Sequence, residues 1–178
     1  MRIISGKYKG KRITAPKKFP ARPTTDMAKE ALFNILNNEF YLDEVQVLDL
    51  FTGIGSIALE FLSRGATQIT AVDTHNASLH FVSKIATEMQ GDVSTIKSDV
   101  YAFLEKTTQK SDIIFADPPY DFELEQFLKI PNLVFERQLL NEAGVLIVEH
   151  SKYTDLSTHP NFDKSKKYGS AVFSFFRK

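Results

Sequence analysis

An α/β fold with a mostly parallel sheet is predicted by three features of the chain. Strand and helix patterns alternate from Val45 onward, a glycine-containing turn follows the first of those strands, and the chain closes on two strand patterns with no helix between them. Ahead of that series, residues 2–14 alternate around Gly6 and Gly10 and carry Ile3, Ile4, Tyr8 and Ile13, the pattern of a small hairpin. Pro16, Pro20 and Pro23 mark an extended connector. Thr24-Thr25-Asp26 offers a helix cap with an acid in the first turn, and Ala28, Ala31, Leu32, Ile35 and Leu36 follow at helical spacing.

The alternating series begins with a strand at Val45–Leu50 and a helix at Ser56–Ser63. A strand at Gln68–Val72 and a helix at Asn76–Gln90 come next, the helix turning Val82, Ile85, Ala86 and Met89 inward. Val93–Ile96 reads as a strand, Val100–Glu105 as a short helix, Asp112–Ala116 as a strand, and Glu123–Leu140 as a helix with a break at Pro131. Val145–Glu149 is the fifth strand. Such alternation means βαβ units with right-handed crossovers. Lys164–Tyr168 and Ala171–Arg177 flank Gly169-Ser170 and read as a hairpin, an ordinary antiparallel edge on a parallel sheet. Seven strands result.

At 178 residues with 43% apolar composition, the chain fits one domain with a substantial core and a small appendage. No run is long enough to span a bilayer, and the N-terminus lacks the apolar centre of a signal peptide, so a cytoplasmic protein is expected. The absence of cysteine excludes disulfides and cysteine-ligated zinc, and the four scattered histidines show no metal-site spacing. No metal is expected. The net charge of zero hides an asymmetry: residues 1–30 hold nine Lys/Arg against two Asp/Glu, and the remainder holds thirteen against twenty. A basic front on an acidic body points to a polyanion contacted through one face.

Asp49-Leu50-Phe51-Thr52-Gly53-Ile54-Gly55 follows the first strand of the series. Gly53 and Gly55 let the backbone turn sharply against a ligand, and the helix from Ser56 presents free N–H groups. The glycines alone also fit a dinucleotide loop. Asp49 shifts the reading, since a carboxylate suits the cationic amino acid end of S-adenosylmethionine and repels a pyrophosphate. Asp73, about 20 residues on, stands where a ribose-binding acid belongs. Ser98-Asp99 ends the third strand, where Asp99 can accept from an adenine amine or, alternatively, cap the next helix.

Asp117-Pro118-Pro119-Tyr120 ends the fourth strand and is the most specific motif in the chain. An amino group on a base ring is a poor nucleophile because its lone pair is delocalised. Asp117 can accept one of its N–H groups and the Pro118 carbonyl the other, which favours a pyramidal nitrogen and stabilises the charge that develops on it. The prolines fix φ and remove competing donors, and Pro119 holds residue 118 extended. Tyr120 supplies a ring on which a base can stack, worth about 1–3 kcal/mol.

On these residues the chain resembles the RsmD family of bacterial small-subunit (16S) ribosomal RNA guanine-N2 methyltransferases over essentially its whole length. The matching stretches are Arg2 to Lys11, Arg22-Pro23-Thr24-Thr25-Asp26, Asp49 to Gly55, Leu62-Ser63-Arg64-Gly65-Ala66, Asp117 to Tyr120, and Lys167-Tyr168-Gly169. The resemblance implies a Rossmann-like S-adenosylmethionine-dependent methyltransferase domain over residues 24–178, with residues 1–23 as a basic hairpin and connector that contacts RNA. It implies S-adenosylmethionine held by Asp49, Phe51, Thr52, Gly53, Gly55, Asp73, Ser98 and Asp99. Arg2, Lys7, Lys9, Lys11, Arg12, Arg22 and Thr24 would contact the RNA, with phosphate anchors that position without reading sequence. The implied partner is 16S ribosomal RNA, the small subunit or an assembly intermediate, acted on by a monomer. Ser5 departs from the pattern, standing where a second glycine is common. Adenine-N6 methylation of DNA and glutamine methylation of protein share the acceptor geometry. A nicotinamide-dependent oxidoreductase and a non-catalytic RNA-binding or assembly protein are the other readings of the same sheet.

Overall fold

Seven strands form one sheet in the order β3-β2-β1-β4-β5-β7-β6 in a computed structural model that describes residues 1–16, 19 and 24–178. They are β1 (Gln46–Leu50), β2 (Gln68–Asp73), β3 (Ser94–Lys97), β4 (Ser111–Ala116), β5 (Leu140–Ser151), β6 (Phe162–Tyr168) and β7 (Ala171–Phe176). The first five are mutually parallel, and β7 runs antiparallel between β5 and β6. Pro20, Arg22 and Pro23, and with them much of the expected connector, lie outside the described residues.

Alternation along the strands sorts two cores. Val47, Ile113, Phe115, Val145 and Ile147 pack under α1 (Asp26–Asn37), α2 (Ser56–Ser63) and α3 (Asn76–Glu88). Leu48, Leu50, Ile114, Leu146 and Val148 pack under α4 (Val100–Lys106) and α5 (Leu124–Glu136) on the opposite face. The series winds outward from β1 through β2 to β3, then crosses back to β4 and β5 on the other side. A crevice therefore opens beyond the carboxyl ends of β1 and β4, where doubly wound sheets bind ligands.

The helix expected over 123–140 with a break at Pro131 runs instead as α5 from Leu124 to Glu136, with Pro131 inside it. An interior proline costs about 3 kcal/mol. Burying Phe127, Ile130 and Val134 contributes about 1.5–3 kcal/mol each, so packing wins. The helix stops early because Gln138 adopts φ 54°, with the Leu139 N–H donating to the Val134 carbonyl. Leu140 then opens β5 opposite Ser111.

The N-terminal hairpin closes on one bridge, Arg2 with Arg12, and on bonds from the Ile3 N–H to the Lys11 carbonyl and the Ile13 N–H to the Met1 carbonyl. Ile3 and Ile13 are buried in the core under α1–α3. Gly6, at φ 84°, passes so close to α2 that a β-carbon there would meet the Ser63 carbonyl oxygen at 1.9 Å. Glu60 of α2 fastens this arm. Its carboxylate accepts from the Ile4 N–H at 2.8 Å, the Ser5 N–H at 3.0 Å and Arg64 Nε at 2.9 Å, and pairs with Lys29 Nζ at 3.4 Å. Burial pushes the Lys29 amine below its usual value and Glu60 opposes that shift. Lys29 Nζ also donates to the Arg2 carbonyl at 2.7 Å.

Candidate active site

Period two along each strand places Asp49 with Val47, Asp117 with Phe115 and Glu149 with Ile147, so three carboxyl residues meet on the α1–α3 face at the ends of the adjacent strands β1, β4 and β5. They line one cavity of about 660 Å³. A pocket of this size suits a cofactor with part of a substrate. Asp49, Phe51, Thr52, Gly53 and Asp73 face it from the cofactor side, and Asp117, Pro118, Pro119 and Tyr120 face it from β4. The turn beyond β4 abuts the glycine loop directly, with the Asp117 N–H donating to the Leu50 carbonyl at 3.3 Å.

The glycine loop is held in shape by its acids. Asp49, only 2% exposed, accepts from the Thr52 hydroxyl at 2.6 Å and from the Ala58 N–H at 3.1 Å. Burial raises its carboxyl from 3.8 to about 7, against the lowering effect of those two bonds and with a small push from Asp73. Neither bonded partner is a cation. Asp73 accepts from the Gly53 N–H at 2.9 Å and the His75 N–H at 2.8 Å, so it joins the loops after β1 and β2. Gly55 caps α2 in the left-handed region at φ 75°, and a β-carbon there would meet Val82 at 2.7 Å. Only glycine lets α2 approach α3 this closely. Phe51 also has positive φ, 58°, and its ring packs edge-on against Tyr101 and Phe122.

Not every expected cofactor residue reaches the cavity. Gly55, Ser98 and Asp99 are absent from its lining. Asp99 caps α4 by accepting from the Ala102 N–H at 2.9 Å, while the Ser98 N–H donates to the Asp73 carbonyl at 3.0 Å.

A family model described as "Conserved hypothetical protein 95" matches residues 1–177. The "Ribosomal RNA small subunit methyltransferase D" of Buchnera aphidicola subsp. Baizongia pistaciae is 32% identical over 99% of this chain and 91% of its own length. The chain belongs to this family. The RsmD resemblance read from the motifs and the family match therefore coincide. The "Putative rRNA methyltransferase YlbH" of Bacillus subtilis is 35% identical over 88% of this chain and 85% of its own length. Among solved structures, a "Putative methyltransferase yhhF" from Escherichia coli superposes with a TM-score of 0.85 at 27% identity, covering 99% of this chain and 96% of that one.

In this RsmD-family chain the basic arm divides. Arg2 bonds Asp26 at 3.1 Å in the first turn of α1, next to Thr25 and Met27 of the cavity rim, and Arg12 is bridged to Arg2. Lys7 Nζ donates to Gln90, Lys11 pairs with Glu88 at 3.8 Å, and Lys9 sits between them in the turn. Glu88 ends α3 and Gln90 follows its C-cap, Met89. At 1.5 Å per residue, the 13 residues of α3 put that end about 20 Å along the helix from its start beside His75 of the cavity lining. Thr24 is buried against the cavity, donating to Glu149 at 2.8 Å. Arg22 lies outside the described residues. Sequence reasoning missed Glu149, Thr25, Met27, His75 and the 168–171 turn, all of which line the cavity. Among the described residues, no cluster of His, Cys, Asp or Glu could hold a metal, and no helix is long and apolar enough to cross a membrane.

Proposed function

We propose that this enzyme, an S-adenosylmethionine-dependent ribosomal RNA methyltransferase, methylates the exocyclic N2 amine of a guanine in small-subunit (16S) ribosomal RNA. The observation that carries the reading is that the Asp117–Tyr120 turn and the glycine loop open onto one cavity from adjacent strands. The donor set suits the cofactor: Asp49 would face its amino acid end, and Asp73 would add ribose hydroxyls to the N–H groups it already accepts.

The bound cofactor supplies an electrophilic methyl on sulfur. Everything else falls to the chain. Asp117 accepts one N–H of the guanine amine and the Pro118 carbonyl accepts the other, which localises the nitrogen lone pair and stabilises positive charge on it. Tyr120 offers a stacking surface. With S-adenosylmethionine bound, its methyl would pass from sulfur to the nitrogen and the thioether would leave, with Asp117 accepting the proton that the nitrogen sheds. Most of the rate comes from aligning the amine with the methyl. A guanine inside a duplex must leave its stack at a cost of a few kcal/mol. Arg2 and Arg12 at the base of the arm, Arg22, and Lys7, Lys9 and Lys11 at its far end contribute phosphate contacts.

Radiolabelled methyl transfer to small-subunit RNA from cells lacking the protein, followed by nucleoside analysis, tests this. Label in N2-methylguanosine is expected. Label in 6-methyladenosine or in protein overturns it.

A further inference from the structure

Glu149 is 3% exposed at the carboxyl end of β5, and its two oxygens accept from two different walls of the cavity. Oε1 takes the Tyr120 hydroxyl at 3.1 Å, and Oε2 takes the Thr24 hydroxyl at 2.8 Å. We propose that Glu149 is a positioning residue for the acceptor base: it holds the hydroxyl end of the Tyr120 ring, and so the direction in which the ring projects, and ties the residues that enter α1 to the catalytic turn. This rests on the proposed methyl transfer to guanine, because it assigns the ring that the guanine stacks on.

The physical case is one of freedom removed. Tyr120 lies in a loop immediately after two prolines, on a ring 37% exposed. Such a ring samples several rotamers unless its hydroxyl is held. Stacking positions the amine only if the ring stays in place relative to Asp117 and the Pro118 carbonyl, and small misplacements cost large factors in rate. Glu149 sits on a central strand between β4 and β7, so its own carboxylate moves little. Thr24, 125 residues away in sequence, comes to the same carboxylate just before the N-cap Thr25 of α1. Met27 on that first turn is 63% exposed and lines the cavity facing this group. The tether thus sets two sides of the opening through which a base enters.

A hydrogen-bond tether makes a distinctive pattern. Glu149→Gln keeps an acceptor for Tyr120 and a polar group for Thr24. Glu149→Leu keeps bulk and loses both. The expected result is that Glu149→Leu lowers kcat/KM for RNA at least tenfold with S-adenosylmethionine affinity within threefold of the parent, and that Glu149→Gln recovers most of the loss. Tyr120→Phe added to Glu149→Leu should cost less than Tyr120→Phe costs in the parent, since the bond between the two is already gone. Near-normal turnover of Glu149→Leu, or losses that multiply in the double variant, would overturn the tether. Equal loss in Glu149→Gln and Glu149→Leu would overturn it too, assigning the charge a direct role instead. If Glu149→Leu does not fold, Tyr120→Phe alone decides: it keeps the ring and loses the tether, so it should lower kcat/KM for RNA by a similar factor, and near-normal turnover overturns the inference. The tether is also read without turnover, from the ¹³C NMR line of the Tyr120 ring assigned through Tyr120→Phe. That line should be exchange-broadened in Glu149→Leu and sharp in Glu149→Gln; sharp lines in both contradict the inference. A parent enzyme with no label on guanine would sink the proposed function alone, and leave the ring measurement to judge the tether.

Discussion

Glu60 and Asp49 are both acids buried on the same face of the sheet, and they are satisfied in opposite ways. Glu60 is surrounded by Lys29, Arg64 and two backbone N–H groups of the N-terminal arm. Asp49 accepts one hydroxyl and one amide, and burial lifts its carboxyl to about 7. The first cluster carries its own counterions and completes the architecture. The second is an acid held in low dielectric without a bonded cation, so a cation entering the cavity would favour its charged form. Buried charge that the chain neutralises for itself marks structure; buried charge left to a ligand marks the site.

Substitution at each acid should separate these roles. The largest effect is expected from Glu60→Gln, which strands Lys29 in the core. Breaking a buried pair costs about 3–5 kcal/mol. Each kcal/mol lowers the melting midpoint of a chain this size by about 2–4 °C. Calorimetry should show that drop with S-adenosylmethionine affinity preserved below the transition. Unchanged melting would dissolve the contrast.

Asp117→Ala should slow methyl transfer by about 10²–10³-fold, as loss of one transition-state hydrogen-bond partner does. Titration calorimetry should still find S-adenosylmethionine bound within a few-fold of the parent affinity. Turnover close to normal would make the tetrapeptide a structural turn.

A smaller effect concerns pH. The Asp49 carboxyl is raised from 3.8 to about 7, so the folded chain holds a proton that the unfolded chain releases between those values. This group's contribution to stability therefore falls as pH rises from about 4 through 7. A cationic ligand favours the ionised form, so cofactor affinity should rise with pH up to about 7, by at most tenfold per unit, and then level off. Calorimetry at pH 6 in buffers of different ionisation enthalpy should detect proton release on binding. An affinity flat from pH 5.5 to 8 without proton release would remove the role given to Asp49.

The smallest change is expected at the far end of the arm. Replacing Lys7, Lys9 and Lys11 by alanine should weaken RNA binding and lower the salt slope by about 0.7–0.9 for each phosphate that is no longer neutralised. The same titration on Arg2 and Arg12, at the base of the arm beside α1, should give the larger weakening per residue. An unchanged slope for the lysine variant would remove the far end of the arm from RNA binding.

All seven strands were legible in the sequence because their apolar runs are short and bounded by turn residues. The carboxyl-end motifs were legible because a chemical requirement is written in contiguous residues: Asp49 to Gly55 and Asp117 to Tyr120. Arg137 to Leu140 was misread as helix because Leu139 and Leu140 continue the apolar spacing of α5, and the switch to β5 lies in the left-handed backbone of Gln138. Pro131 looked like a stop because local propensity ignores the packing of Phe127, Ile130 and Val134. Glu149 was invisible for a different reason. An acid at the end of Val145–Val148 forms no motif, and its partners Thr24 and Tyr120 are 125 and 29 residues away. Only the strand order brings it to the cavity.

In the proposed reaction, Asp117 and the Pro118 carbonyl together hold the reacting amine beside the glycine loop. A crystal structure with S-adenosylhomocysteine and guanosine tests it most directly. This arrangement predicts the guanine N2 within about 2.6–3.2 Å of both oxygens, with the base against Tyr120. A base seated with its N2 away from Asp117, or outside the cavity shared with the glycine loop, would contradict it.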